Sequence, residues 1–260
     1  MSVAASNPSL QAALRKAGLL LGAARHAIAF TGAGISTPSG IPDFRSKNTG
    51  LWERFDPMKV ASISVFQSQP EHFYGWLRPL LREIWQANPN PAHIALAQLE
   101  KAGLLKAVIT QNIDDLHQRA GSQHVYEVHG SLRTLTCPTC AATYPSETFR
   151  QALTAADEMA RCPQCQHVLK PDITLFGEML PGETWAAAED HCRRADLILV
   201  VGSSLEVWPA AALPELSADR GAALIINNLS ATHLDHRADV LLPLNVAEAL
   251  PEIANIALQA

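Results

Sequence analysis

Short, largely apolar runs recur along the chain, and most end in a cluster of glycine or polar residues. Residues 27–30 lead into Thr31-Gly-Ala-Gly-Ile-Ser36, and residues 107–110 into Gln111-Asn112-Ile113-Asp114-Asp115. Residues 125–128 end at His129-Gly130, 197–201 at Gly202-Ser-Ser204 and 223–226 at Asn227-Asn228, and a last run spans 240–244. Runs this short, without polar alternation, predict strands buried on both faces, as in a parallel sheet. Between them apolar positions recur at helical spacing, over 8–24, 70–87, 92–102 and 183–194, and again after the last run. Gly103 stops the third of these helices. The aromatics Phe73, Tyr74, Trp76 and Trp85 are expected on the core face of the second. The polar stretch 47–57 predicts a loop, and Asn88-Pro-Asn-Pro91 breaks the chain. Alternating strands and helices define an α/β fold, a doubly wound parallel sheet. Ligands bind such sheets at the carboxyl ends of the strands, where the polar clusters lie.

Composition narrows this picture. At 260 residues, 48% apolar, the chain suits one large domain, with room for a small module. A net charge of −5 argues against a nucleic-acid surface. No apolar run reaches membrane-spanning length, and the first ten residues lack the basic and apolar regions of a secretory leader. Five cysteines, four of them in C-x-x-C pairs, fit a metal site in a reducing cytoplasm better than disulfides. Cys137, Cys140, Cys162 and Cys165 suit one tetrahedral zinc ion. Four thiolates leave no open position for water, so the ion is structural. A redox site would need one reactive pair at a helix start instead. Cys192 fits a buried helix position.

The chemistry concentrates at the polar strand ends. Gly32 and Gly34 form a G-x-G turn after a strand, the usual cradle for a pyrophosphate, although the third glycine of the dinucleotide fingerprint is missing. Asp43, Phe44 and Arg45 place a carboxylate, an aromatic face and a guanidinium together, as a loop folding over a charged, ring-containing ligand requires. His129, at a strand end before a glycine, is the candidate proton carrier.

With these residues in this order the chain resembles the sirtuins, the NAD-dependent protein deacylases. The shared motifs are GAGIS (32–36), IPDFR (41–45), TQNID (110–114), HG (129–130), the two C-x-x-C pairs, FGE (176–178), GSSLEVWPA (202–210) and NL (228–229). Lys170-Pro-Asp172 stands where the family commonly has Arg-Pro-Asn, and the asparagine of NL is doubled here. The resemblance implies a Rossmann-like domain (1–134 and 171–260) with a helical insert at about 47–90, and a zinc-ribbon module over 135–170.

It further implies that Ala33, Thr37, Ser203, Ser204, Asn228 and Val246 line the adenosine and phosphate end of NAD, with Gly32, Gly34, Gly202 and Leu229 beside them. Asp43, Phe44 and Arg45 would belong to a mobile cofactor loop. Gln111 and Asn112 would lie at the nicotinamide ribose, and Ile113 and Asp114 would hold the carboxamide. Segments around Thr174–Phe176 and Glu206–Val207 would pair with an acyl-lysine peptide as an added strand. The acyl oxygen would attack the ribose as nicotinamide leaves, in a step related to glycoside chemistry. Asn112 would orient the ribose hydroxyls, and His129 would take a proton from them so that the 2′-oxygen attacks the O-alkylimidate. Products would be free lysine, nicotinamide and O-acyl-ADP-ribose. The expected enzyme is a deacetylase with one structural Zn2+, acting as a monomer in the cytoplasm, without nucleic-acid or membrane partners.

Two rival readings stay open on sequence: mono-ADP-ribosyl transfer, and a non-enzymatic zinc ribbon on a sheet that senses NAD. Relatives that prefer succinyl-lysine carry a Tyr-x-x-Arg pair. Leu77 and Leu80 stand at those positions, which predicts acetyl, propionyl and butyryl substrates, with Tyr74 and Arg78 the nearest polar alternative.

Overall fold

The computed structural model describes residues 7–44, 50–156 and 158–260. Its strands are β1 (Ala27–Thr31), β2 (Leu105–Thr110), β3 (Val125–Glu127), β4 (Gly130–Thr136), β5 (Thr143–Pro145), β6 (Lys170–Ile173), β7 (Leu197–Val201), β8 (Ala223–Asn227) and β9 (Val240–Leu242). The α-helices are α1 (Pro8–Ala23), α2 (Leu51–Arg54), α3 (Pro57–Val60), α4 (Ile63–Ser68), α5 (Pro70–Gln86), α6 (Pro91–Lys101), α7 (Leu116–Ala120), α8 (Arg150–Thr154), α9 (Gly182–Arg194), α10 (Ala212–Asp219) and α11 (Val246–Ala257).

Six strands form one parallel sheet in the order β3-β2-β1-β7-β8-β9. The chain winds outward from β1 in one direction and from β7 in the other, so a crevice opens between the ends of these two strands. Every residue of β1 and β7 is buried. Ala27 and Ala29 pack under Leu14, Leu96 and Leu250 of α1, α6 and α11. Ile28 and Phe30 face Ala188, Cys192 and Leu213 of α9 and α10. Covered on both sides, these strands need no polar alternation. Cys192 is one of these core residues, and burial pushes its thiol up to about 12.

The expected loop at 47–57 is in part helical. Residues 45–49 lie outside the described residues, but α2 and the start of α3 fall within the remainder. Pro57 occupies the first turn of α3 while Asp56 Oδ1 accepts from the Met58 N–H (3.0 Å), and the Ser62 side chain caps α4. Proline and short polar residues here start helices, where backbone N–H groups lack intrahelical partners.

A second sheet, β5-β4-β6, is antiparallel and carries the cysteine knuckles at one end. These strands were not legible in advance, being three to seven residues long and partly exposed. A third core joins this sheet to the helical insert, packing Phe73, Leu77 and Leu81 of α5 with Leu135, Leu153 and Leu169. Polar ties reinforce it. The Tyr74 hydroxyl donates to Leu169 O, Arg78 to Glu158 O and Arg82 to Thr154 O. The Arg150 guanidinium sits 5.1 Å from the Trp85 ring centroid.

Candidate active site

At the β1/β7 crevice the two glycine loops lock together. Gly34 N–H donates to Gly202 O at 2.8 Å, and Gly202 has φ +59°. A Cβ on Gly202 would lie 2.3 Å from Ile35 N, so only glycine fits. Above them runs a groove of ≈ 260 Å³ with a lining of mixed polarity. Gly32, Ala33, Gly34 and Thr37 form one bank, and Gly202, Ser203 and Ser204 the other. Gln111 Nε2 donates to Ser203 Oγ (2.8 Å) and bridges the banks. At the far end lie Asn228, Leu229 and Val246, the last at the start of α11, where the Asn245 side chain caps the Ala247 N–H (2.9 Å). Asp43 and Phe44 line the near side, whereas Arg45 lies outside the described residues.

The doubled asparagine separates cleanly. Asn227 is fully buried and donates to Leu242 O (2.8 Å) and Leu244 O (2.9 Å). Asn228 is the one on the groove.

A second cavity, ≈ 280 Å³, opens beside the first and is mainly apolar. Trp76, Leu80 and Ile84 of α5 form one wall, and Leu175, Phe176 and Trp208 another. Trp52 stacks against Trp76 (centroids 5.8 Å apart) and lies 5.0 Å from Phe44. Ile113, Asp114, Thr174 and Val207 also line this chamber. Of the two leucines expected here only Leu80 arrives; Leu77 is fully buried in the core. Tyr74 and Arg78 face the cysteine module instead, because both bond its backbone. The aromatics of α5 therefore divide: Phe73 and Tyr74 are core, while Trp76 is a cavity wall.

The two cavities share Ala33, Phe44, Gln111, Asn112, His129 and Val207. His129 Nδ1 lies 3.1 Å from Gln111 O. A carbonyl only accepts, so Nδ1 carries the proton and the ring's acceptor lone pair is at Nε2. Gly130 (φ +77°) follows because a Cβ there would meet Asp172 O at 2.1 Å as β4 tucks under β6. Asn112 Nδ2 donates to Gly32 O (3.2 Å) and Ser36 Oγ (3.1 Å). Ser36 in turn donates to Asp114 Oδ2 (2.6 Å), whose other oxygen accepts from Leu116 N–H (3.0 Å). Burial raises the Asp114 pKa, and these two hydrogen bonds oppose the shift. Sequence reading assigned Ser36 no role, although a serine closing a glycine loop beside a buried carboxylate is the available signal.

The four knuckle sulfurs lie within 4.8 Å of one another, and none forms a disulfide. Sγ separations are 3.4 Å (Cys137–Cys165), 3.5 Å (Cys140–Cys162) and 3.7 Å (Cys140–Cys165). A tetrahedral zinc with bonds of about 2.3 Å needs edges of about 3.8 Å. The residues fit one zinc ion and leave it no open position.

A doubly wound sheet whose glycine cradle opens sideways into an apolar chamber defines an enzyme that brings a nucleotide-like cofactor against an apolar-tailed substrate. Residues 32–209 match the Sir2 family, and the chain belongs to that family. It is 47% identical to the NAD-dependent protein deacetylase of Caldivirga maquilingensis over 93% of this chain and 92% of that one. It is 46% identical to the NAD-dependent protein deacylase 2 of Archaeoglobus fulgidus, over 92% and 94%. Among solved structures, a Sir2 enzyme superimposes with a TM-score of 0.87 at 44% identity, covering 95% of this chain and 98% of that one. A Sir2 homologue in complex with NAD superimposes at 0.86 and 38% identity, covering 93% of each chain.

Proposed function

We propose that the protein is an NAD-dependent protein lysine deacetylase that transfers the acyl group of acyl-lysine to ADP-ribose, with release of nicotinamide. The observation that carries this reading is the shared wall: a glycine-lined groove and an apolar chamber meet at His129 and Asn112. NAD, when bound, supplies an electrophilic ribose carbon and a leaving group. Gly32, Gly34, Ser203, Ser204 and the α11 start would hold its phosphates and adenosine, with Asn228 at a ribose. His129, protonated on Nδ1, would take a proton at Nε2 from a ribose hydroxyl. Asn112 has its amide nitrogen engaged, so its carbonyl oxygen is the group that accepts from a hydroxyl or water. Asp114, behind Ser36, would meet the carboxamide.

The chamber favours short uncharged acyl chains. Tyr74 and Arg78 bond elsewhere, and the lining carboxylates, Asp114 and Glu178, offer a second carboxylate no cationic partner, Glu178 being itself paired with Lys170 (2.9 Å). The N–H groups of Thr174, Leu175 and Phe176 already bond His129 O, Glu178 Oε2 and Ala61 O. Leu175 O and Phe176 O also accept, from the N–H groups of Glu178 and Ile63, so a substrate strand added there would pair through Thr174 O, with residues 206–207 opposite. No helix among the described residues is long and apolar enough to cross a membrane. Thiol ligands fit a reducing cytoplasm, and we take the enzyme to act as a monomer, with the zinc module at 135–170 inserted in the Rossmann-like domain. Mass spectrometry of an acetyl-lysine peptide incubated with NAD tests the reading. Free lysine and O-acetyl-ADP-ribose support it; ADP-ribosylated protein, or no product, would replace it with one of its rivals.

A further inference from the structure

Behind the shared wall lies a buried polar chain that the mechanism above does not use. Thr31 and Thr110 end β1 and β2 as register partners, and His117 sits on α7 beneath them. All three are at most 2% exposed. The Thr31 hydroxyl donates to Thr110 Oγ1 at 2.8 Å, and the backbone N–H of Asn112 donates to the same oxygen at 3.0 Å. His117 Nε2 lies 2.9 Å from Thr31 Oγ1.

The proton count fixes the direction of this chain. Thr31 has one hydroxyl proton, and Thr110 receives it. Thr31 Oγ1 can then only accept from His117, so His117 carries its proton on Nε2. Nδ1 is left as a buried lone pair with no hydrogen-bond partner among the described residues. Burial, and the His93 ring with its centroid 4.9 Å away, hold the His117 pKa well below its usual value, so the ring stays neutral. A buried imidazole with one unmet nitrogen is costly, and an apolar side chain would avoid that cost. What the imidazole adds is the donor at Nε2.

We propose that His117 is a positioning residue that, through Thr31 and Thr110, fixes the backbone from which Asn112 reaches the reacting groups. Gly32 O and Ser36 Oγ hold the Asn112 amide, while the threonine chain holds its N–H. The proposal rests on the deacetylase reading for its kinetic consequence, but not for its geometry.

The test compares His117→Gln, His117→Asn and Thr31→Val in the full chain. A glutamine amide reaches where Nε2 lies; an asparagine amide reaches only to Nδ1. His117→Gln is expected to keep most of kcat with an unchanged pH profile. His117→Asn and Thr31→Val are expected to lower kcat by up to about 10²-fold, the effect of slight misplacement, with KM for NAD little changed. The double variant of His117→Asn with Thr31→Val should be no worse than Thr31→Val alone. Nitrogen-15 NMR should show His117 as the Nε2–H tautomer, untitrated between about pH 5 and about pH 8, and the Asn112 amide shifted in His117→Asn and Thr31→Val. Equal losses in the two His117 variants, additive losses in the double variant, or an Nδ1–H tautomer would each overturn the proposal. Should wild type fail to deacetylate, the functional reading falls, and the NMR measurement still decides the relay.

Discussion

The two cavities are nearly equal in size and built in opposite ways. The groove is lined by strand-end loops and one helix start, all hung on a single sheet, so topology places its hydrogen-bonding groups. The chamber borrows its walls from the helical insert, from the segment after β6 and from residues 207–209. Its shape depends on how these parts pack, and α5 is braced from behind by the cysteine module. The cofactor side should therefore tolerate damage that ruins the substrate side.

The largest effect should come from the metal ligands. Zinc binding is worth about 10–16 kcal/mol in small zinc peptides, so Cys137→Ala should lose the metal, unfold the module and abolish deacylation. If the two cavities are independent, calorimetric titration of this variant will still show NAD binding. Loss of NAD binding as well would break the comparison. Next is His129→Ala, on the wall common to both cavities. It should cut turnover by roughly 10²–10⁴-fold with the melting temperature unchanged, and near-normal turnover would remove His129 from the mechanism. Third is the acyl group. On one peptide, succinyl-lysine should lose about 10²-fold or more in kcat/KM against acetyl, because burying an unpaired carboxylate costs several kcal/mol. Butyryl should remain a substrate, each added methylene gaining about 0.8 kcal/mol of burial. Succinyl turning over faster than acetyl would mean the chamber holds a cation this account lacks. The smallest effect is expected from Asn228→Ala, about tenfold or less in KM for NAD, the value of a hydrogen bond, with KM for peptide unmoved. A change in peptide KM instead would place Asn228 on the wrong side.

The groove was legible in the sequence because both of its signals are local. Buried parallel strands leave unbroken apolar runs, and the loops that follow them carry the polar groups within a few residues. The choice of Asn228 over Asn227 comes instead from the family resemblance, whose NL motif pairs the asparagine with Leu229. The chamber was legible only where the family resemblance reached it, at Leu80, Ile113, Asp114, Thr174–Phe176 and Val207; Trp76 and Ile84 are apolar and look like core. Helix α5 shows why. Trp76, Leu80 and Ile84 are spaced by four and line the chamber, while Tyr74, Arg78 and Arg82 are spaced by four and meet the module. Two stripes offset by two residues lie on nearly opposite faces, and nothing in the spacing says which faces the ligand. Only the position of the second sheet decides that. Helices α2 and α3 differ from the loop expected at 47–57 because Gly50 and Pro57, which mark loops, here start helices.

The paired asparagines at the end of β8 divide two kinds of selection pressure. A library screened only for soluble expression should hold Asn227, whose amide stitches β8 to the chain beyond β9, and let Asn228 drift. The same library screened for catalysis at scarce NAD should hold both. Neighbouring positions with one side-chain identity would thus diverge in their substitution records, and the screen that separates them would read out, codon by codon, where the sheet ends and the ligand begins.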